Sequence, residues 1–161
     1  MTSAAPPSAH STARTRIKIC GLTREQDVDA AVAAGADAVG FVLYPQSPRF
    51  ITPQRAAELA RRLPPFVTPV CLVVNADAGL LRDLQAAVPN ALLQFHGDET
   101  PADCEAVHAA TGRPYIRAAR MAPRFALLDF AASHPGAAGI LLDAHIEGYG
   151  GGGKAFDWSL I

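Results

Sequence analysis

At 161 residues the chain is the length of one domain, and with half its residues apolar it can bury a core. A formal charge of −1 offers no field for nucleic acid or an anionic membrane surface, and no apolar run reaches the roughly 18 residues that a membrane helix needs. Cys20, Cys71 and Cys104 are an odd number without metal-type spacing, which suits a reducing cytosol. Residues 1–15 are mostly Ala, Ser, Thr and Pro and have almost nothing to bury. They read as a disordered leader to a domain spanning 16–161. A transit peptide is the other reading of a stretch with Arg14, the adjoining Arg16 and no acid.

The first strand is expected over residues 16–20, where Ile17 and Ile19 alternate with Lys18 and Cys20. Side chains two apart share a face, so Lys18 and Cys20 point together. Gly21 breaks the strand, and Thr23 with Gln26 reads as a capping box opening a helix that Gly35 ends. The apolar run 38–43 suits a strand buried on both faces. Residues 44–50 hold two prolines and form a loop, and Thr52-Pro53 is a cap followed by proline at the first helical position. Strands are then expected over 69–74, 91–95, 115–118 and 139–142, the last followed by Asp143. Helices lie between them over 77–88, from the Thr100-Pro101 cap to Gly112, and on a stripe of Phe125, Leu128 and Ala132.

Strand and helix alternate with a period of about 25 residues, which requires right-handed crossovers and parallel strands. Two architectures fit, a doubly wound open sheet and a (β/α)8 barrel. Either way the carboxyl ends of the strands gather the polar groups Cys20, Arg49, His96, Arg117 and Asp143. A lone cysteine is more commonly a small buried hydrophobe. Beside Lys18, however, Cys20 has a positive neighbour that favours thiolate. A thiol and a carboxyl sharing one cavity could serve as base and acid in proton transfer. Partial burial is expected to raise the pKa of Asp143 and so equip it as an acid. A fixed Arg49 guanidinium suits a carboxylate, although loop arginines are commonly solvated. His96 reads equally as a site residue or as a packed, hydrogen-bonded histidine. His10, His108, His134 and His145 make no ligand pattern, so no metal is assigned.

Residues 148–154 satisfy a dinucleotide fingerprint and the first seven positions of a P-loop, but four consecutive glycines make both matches cheap. Ala155 stands where a P-loop needs a magnesium-binding hydroxyl. A flap over the site, with one aromatic and one lysine for contact, is the better reading.

These segments resemble the phosphoribosylanthranilate isomerase family. The resemblance rests on Lys18-Ile19-Cys20-Gly21-Leu22-Thr23, residues 35–42, Ser47-Pro48-Arg49-Phe50-Ile51, Gln94-Phe95-His96-Gly97, Leu141-Leu142-Asp143 and residues 150–158, in family order. It implies a (β/α)8 barrel of the TIM type, an α/β fold, with only six strands in this chain and strands seven and eight missing. It also implies an isomerase of tryptophan biosynthesis that performs an Amadori rearrangement of N-(5-phosphoribosyl)anthranilate. By that resemblance Cys20 is the general base and Asp143 the general acid. Arg49, His96, Lys18, Gly151 and Gly153 bind substrate, and neither cofactor nor metal is needed. The expected partner is a small phosphosugar-anthranilate substrate, with no nucleic acid or membrane, and with a homo-oligomer or a complementing fragment as further company. Lacking the phosphate cradle, the chain alone is expected to be inactive or nearly so. The competing readings are another phosphosugar barrel, an epimerase or indole-forming lyase, and a non-catalytic partial α/β module.

Overall fold

A computed structural model describes residues 14–144, Tyr149, Ala155 and residues 157–160. Six strands form one sheet in the order β1 Lys18–Cys20, β2 Ala38–Val42, β3 Thr68–Val73, β4 Leu92–Phe95, β5 Tyr115–Met121 and β6 Gly139–Ala144. Every neighbouring pair is parallel, from Lys18 opposite Ala38 to Met121 opposite Ala144. An order that never reverses has no topological switch point, so the doubly wound sheet falls away and the barrel arrangement stands. Helices α1 Glu25–Ala33, α2 Pro53–Ala60, α3 Ala78–Ala87, α4 Pro101–Thr111 and α5 Leu127–Ala132 separate the strands.

The alternation of strand side chains sorts the chain into two environments. Val39, Phe41, Cys71, Val73, Leu93 and Phe95 face the helices, where Val28 and Ala31 of α1, Ala56 and Leu59 of α2, Leu84 of α3 and Cys104 of α4 meet them in one buried cluster. Each such aliphatic or aromatic side chain contributes about 1.5–3 kcal/mol of burial. The opposite face is the inside of the barrel. Its amino-terminal end is an apolar cavity of ≈ 430 Å³ touching Ile17, Val70, Leu92 and Ile116, and its carboxyl-terminal end is a smaller, more polar one.

Local chemistry explains the helix starts. Thr52 accepts from the Arg55 amide ahead of Pro53, and Asp77 accepts from the Leu80 amide. Thr100 and Asp103 exchange bonds as a capping box. Gly35 and Gly112 close α1 and α4 at φ +85° and +65°, the left-handed region where glycine carries no penalty. The capping box expected at Thr23 and Gln26 is absent. The residue flanking α1 is Arg24, without a side-chain cap. The Thr23 carbonyl accepts from Arg55 at 3.2 Å, and Arg24 folds onto Asp27 at 2.7 Å. The fifth helix also departs from its expected stripe. Phe125 precedes it and Leu128 is 84% exposed, while Phe130 lies against His134 and under the Arg117 guanidinium. Strand β5 runs three residues past Ala118 because β6 pairs with it as far as Met121.

Candidate active site

The polar cavity, ≈ 250 Å³, opens at the carboxyl ends of the strands, and Lys18, Cys20, Arg49, Gln94, His96 and Asp143 all line it. Strand parity brings them there. Lys18 and Cys20 share the inner face of β1, while Ile19 turns outward and is 39% exposed. Cys20 needs a neighbour without a side chain, and Gly40 stands opposite it in register. A Cβ on Gly40 would lie 2.9 Å from the thiol sulfur. Gly21 plays the same part for Arg49. At φ +84° it turns the chain off β1, and a Cβ there would lie 2.6 Å from the Arg49 side chain. The Arg49 guanidinium crosses this gap to donate to the Cys20 carbonyl at 3.3 Å, and its amide donates to the Ser47 hydroxyl at 3.1 Å. The arginine is thus fixed at the rim beside the thiol.

Opposite them, the His96 Nε2 lies 2.9 Å from the Asp143 carboxylate, and its Nδ1 lies 2.9 Å from the Gln94 amide nitrogen. Lys18 donates to Gln94 Oε1 at 2.5 Å. His96 is therefore both packed, at 6% exposure, and part of the site wall. Asp143 is half-buried and also accepts from the Ala144 amide at 3.0 Å. The pKa expected for it has the wrong sign. The bond from His96 outweighs partial burial and holds the carboxyl below its ordinary value of 3.8.

Arg117 is not part of the site. It faces the helices with Tyr115 and donates to the carbonyls of Phe95 at 3.0 Å and Gly97 at 3.0 Å, bracing the loop after β4. Cys71 and Cys104 face the same layer, where burial pushes their thiols up to about 12 and about 11. His108 bonds to the Arg113 carbonyl at 2.7 Å, and His134 packs on Phe130 with ring centres 4.6 Å apart. His10, His145, Gly151, Gly153 and Lys154 lie outside the described residues. Tyr149 is described and lines the polar cavity. Its hydroxyl bonds to Asp98 and accepts from Asn75 at 3.2 Å, with its ring 5.7 Å from Tyr44 and 5.0 Å from the Arg120 guanidinium.

Gln94 is the site residue that sequence reasoning passed over as a separate group. The signal was available, because Gln94 and His96 are two apart and must share a face wherever His96 points inward.

A parallel sheet in barrel order, with a polar cavity at the carboxyl ends of its strands, is the arrangement of the (β/α)8 class of enzymes. Residues 17–161 match the family model described as N-(5'phosphoribosyl)anthranilate (PRA) isomerase. The N-(5'-phosphoribosyl)anthranilate isomerase of Leptothrix cholodnii is 67% identical over 94% of this chain and 67% of its own length. That of Methylibium petroleiphilum is 66% identical over 92% and 68%. Among solved structures, the phosphoribosyl anthranilate isomerase of Thermotoga maritima superposes with a TM-score of 0.79 at 38% identity, covering 91% of this chain and 70% of that one. A second, in complex with reduced 1-(o-carboxyphenylamino)-1-deoxyribulose 5-phosphate, gives 0.73 at 34% identity, covering 82% and 66%. The chain belongs to the N-(5'-phosphoribosyl)anthranilate isomerase family, the isomerases of tryptophan biosynthesis. It spans about two thirds of the length of those curated relatives. Membership does not favour the epimerase, lyase and non-catalytic readings.

Proposed function

We propose that Cys20 and Asp143 are the base and acid of the family's rearrangement, acting on a phosphosugar aminoaldose that carries an anthranilate carboxylate. The observation that carries this reading is the single cavity lined by the thiol, the carboxyl and the rim arginine. Asp143 gives a proton to the sugar ring oxygen as the C1–O bond breaks, leaving an open-chain iminium at C1. Cys20 as thiolate takes the proton from C2, and the electron pair moves to form an enolamine. The enol hydroxyl then gives up its proton as C1 gains one, which yields the aminoketose. The protons move between enzyme groups and substrate and no electrons are exchanged, so the steps call for no redox cofactor. Desolvation by a bound substrate favours the neutral carboxyl, the form able to donate. Arg49 suits the anthranilate carboxylate, with Lys18, His96 and the Gly151 and Gly153 loop as further substrate contacts.

The substrate phosphate belongs, in this fold, to loops after strands seven and eight. On this reading turnover by residues 1–161 depends on a segment that supplies those loops. Oligomers of this chain and a cytoplasmic location, with residues 1–15 as a leader, fit the same reading; among the described residues no helix is long and apolar enough to cross a membrane.

The test is an isomerase assay of the chain mixed with a polypeptide covering the remaining third of the Leptothrix cholodnii relative. Turnover is expected, with C20A and D143N each reducing kcat by about 10²-fold or more. Losses under tenfold in both variants would overturn the assignment.

A further inference from the structure

Lys18, Gln94, His96 and Asp143 form one line of hydrogen bonds across the barrel interior, from β1 through β4 and the residue after it to β6. The line has a direction, and its lysine end sets it. An ammonium has three donors and no acceptor. The Gln94 oxygen must therefore face Lys18, at 2.5 Å, and its amide nitrogen must face His96 Nδ1, at 2.9 Å. That nitrogen also carries only donors, so Nδ1 has to accept and holds no proton. The imidazole proton sits on Nε2 and donates to Asp143 Oδ2 at 2.9 Å. An imidazolium would set two donors against each other at Gln94.

We propose that Gln94 is a positioning residue that, with its orientation fixed by Lys18, holds His96 as the neutral Nε2–H tautomer and so supplies Asp143 with a permanent hydrogen-bond donor. Gln94 is 1% exposed and has no room to turn toward water. The inference rests on Asp143 being the acid only for its meaning in catalysis. The tautomer follows from the four side chains themselves. It also links the two halves of the site, because Lys18 shares its strand face with Cys20.

The experiment is a long-range proton–nitrogen NMR correlation on the 161-residue chain at neutral pH, with the His96 imidazole assigned by its disappearance in H96N. The expected result is a single neutral Nε2–H tautomer. K18M frees Gln94 to reverse its amide and offer its oxygen to Nδ1, so an imidazolium donating to both Gln94 and Asp143 should appear. Q94L, close in volume, removes the donor that faces Nδ1 and should also let the imidazolium form. Q94E places a carboxylate against Nδ1 and should convert His96 to imidazolium. A wild-type Nδ1–H tautomer, or a His96 signal unchanged in both K18M and Q94E, would overturn the proposal, and these two suffice if Q94L does not fold. A failed isomerase assay would remove the acid from the mechanism and leave this tautomer as it is.

Discussion

Cys20 occupies its position because Gly40 has no side chain. The added methyl of G40A would lie 2.9 Å from the thiol sulfur and 3.1 Å from the Cys20 Cα, closer than packed atoms tolerate. The chain must then move its thiol out of line with the cavity. Misplacing a reacting group by about 1 Å costs on the order of 10²-fold in rate. G40A in the complemented isomerase should therefore reduce kcat far more than KM; an unchanged kcat would show that the thiol position is not critical. At Asp143 the folded chain binds a proton less readily than the unfolded one, since the His96 bond favours the carboxylate. Stability from this group is complete above the ordinary carboxylate value of 3.8 and is lost as pH falls through the lower folded value. The stability gap between wild type and D143N, measured by urea unfolding, should thus narrow as pH falls from about 5 toward 3. A gap that widens would reverse the sign. The placement of Asp143 was legible in the sequence, but its shift was not, because burial shows locally whereas His96 lies far off in the chain. Arg117 went astray for another reason. Its strand-end location was read without its parity, which pairs it with Tyr115 on the helix side.

Among the elements, those with a chemical signal at their ends were legible. Thr52-Pro53, Thr100-Pro101, Gly35 and Gly112 act as expected because caps and left-handed turns are decided by adjacent residues. Thr23 was not legible as a non-cap, since the helix starts one residue later than its hydroxyl would require, with Arg24 at the flanking position. The end of β5 was hidden because its extra residues are held by β6. In α4 the Thr100 hydroxyl accepts from the Asp103 amide at 3.2 Å and the Thr100 amide donates to Asp103 at 2.9 Å. T100A should cost about 1 kcal/mol in urea unfolding, the usual worth of a cap. A change below a few tenths would mean that α4 is held by packing alone.

At the scale of the molecule, the same six parallel strands that build the site leave β1 and β6 unpaired with each other among the described residues. Ile19, on the outward face of β1, is 39% exposed, and the amino-terminal half of the barrel interior is an apolar cavity of ≈ 430 Å³. Both are surfaces that further strands and helices of the family fold would cover. The strand order was legible from the regular period of the sequence, and closure was not, because it depends on residues beyond this alternation. The mechanism depends on one piece of geometry: the thiol and the carboxyl address a single bound sugar from opposite sides. Its most direct test is the crystal structure of the complemented chain with reduced 1-(o-carboxyphenylamino)-1-deoxyribulose 5-phosphate. The expected result is the sugar chain between the two groups, with Cys20 Sγ beside C2, Asp143 at the oxygen that closes the ring, and the benzoate at Arg49. A ligand seated away from either Cys20 or Asp143 would contradict it.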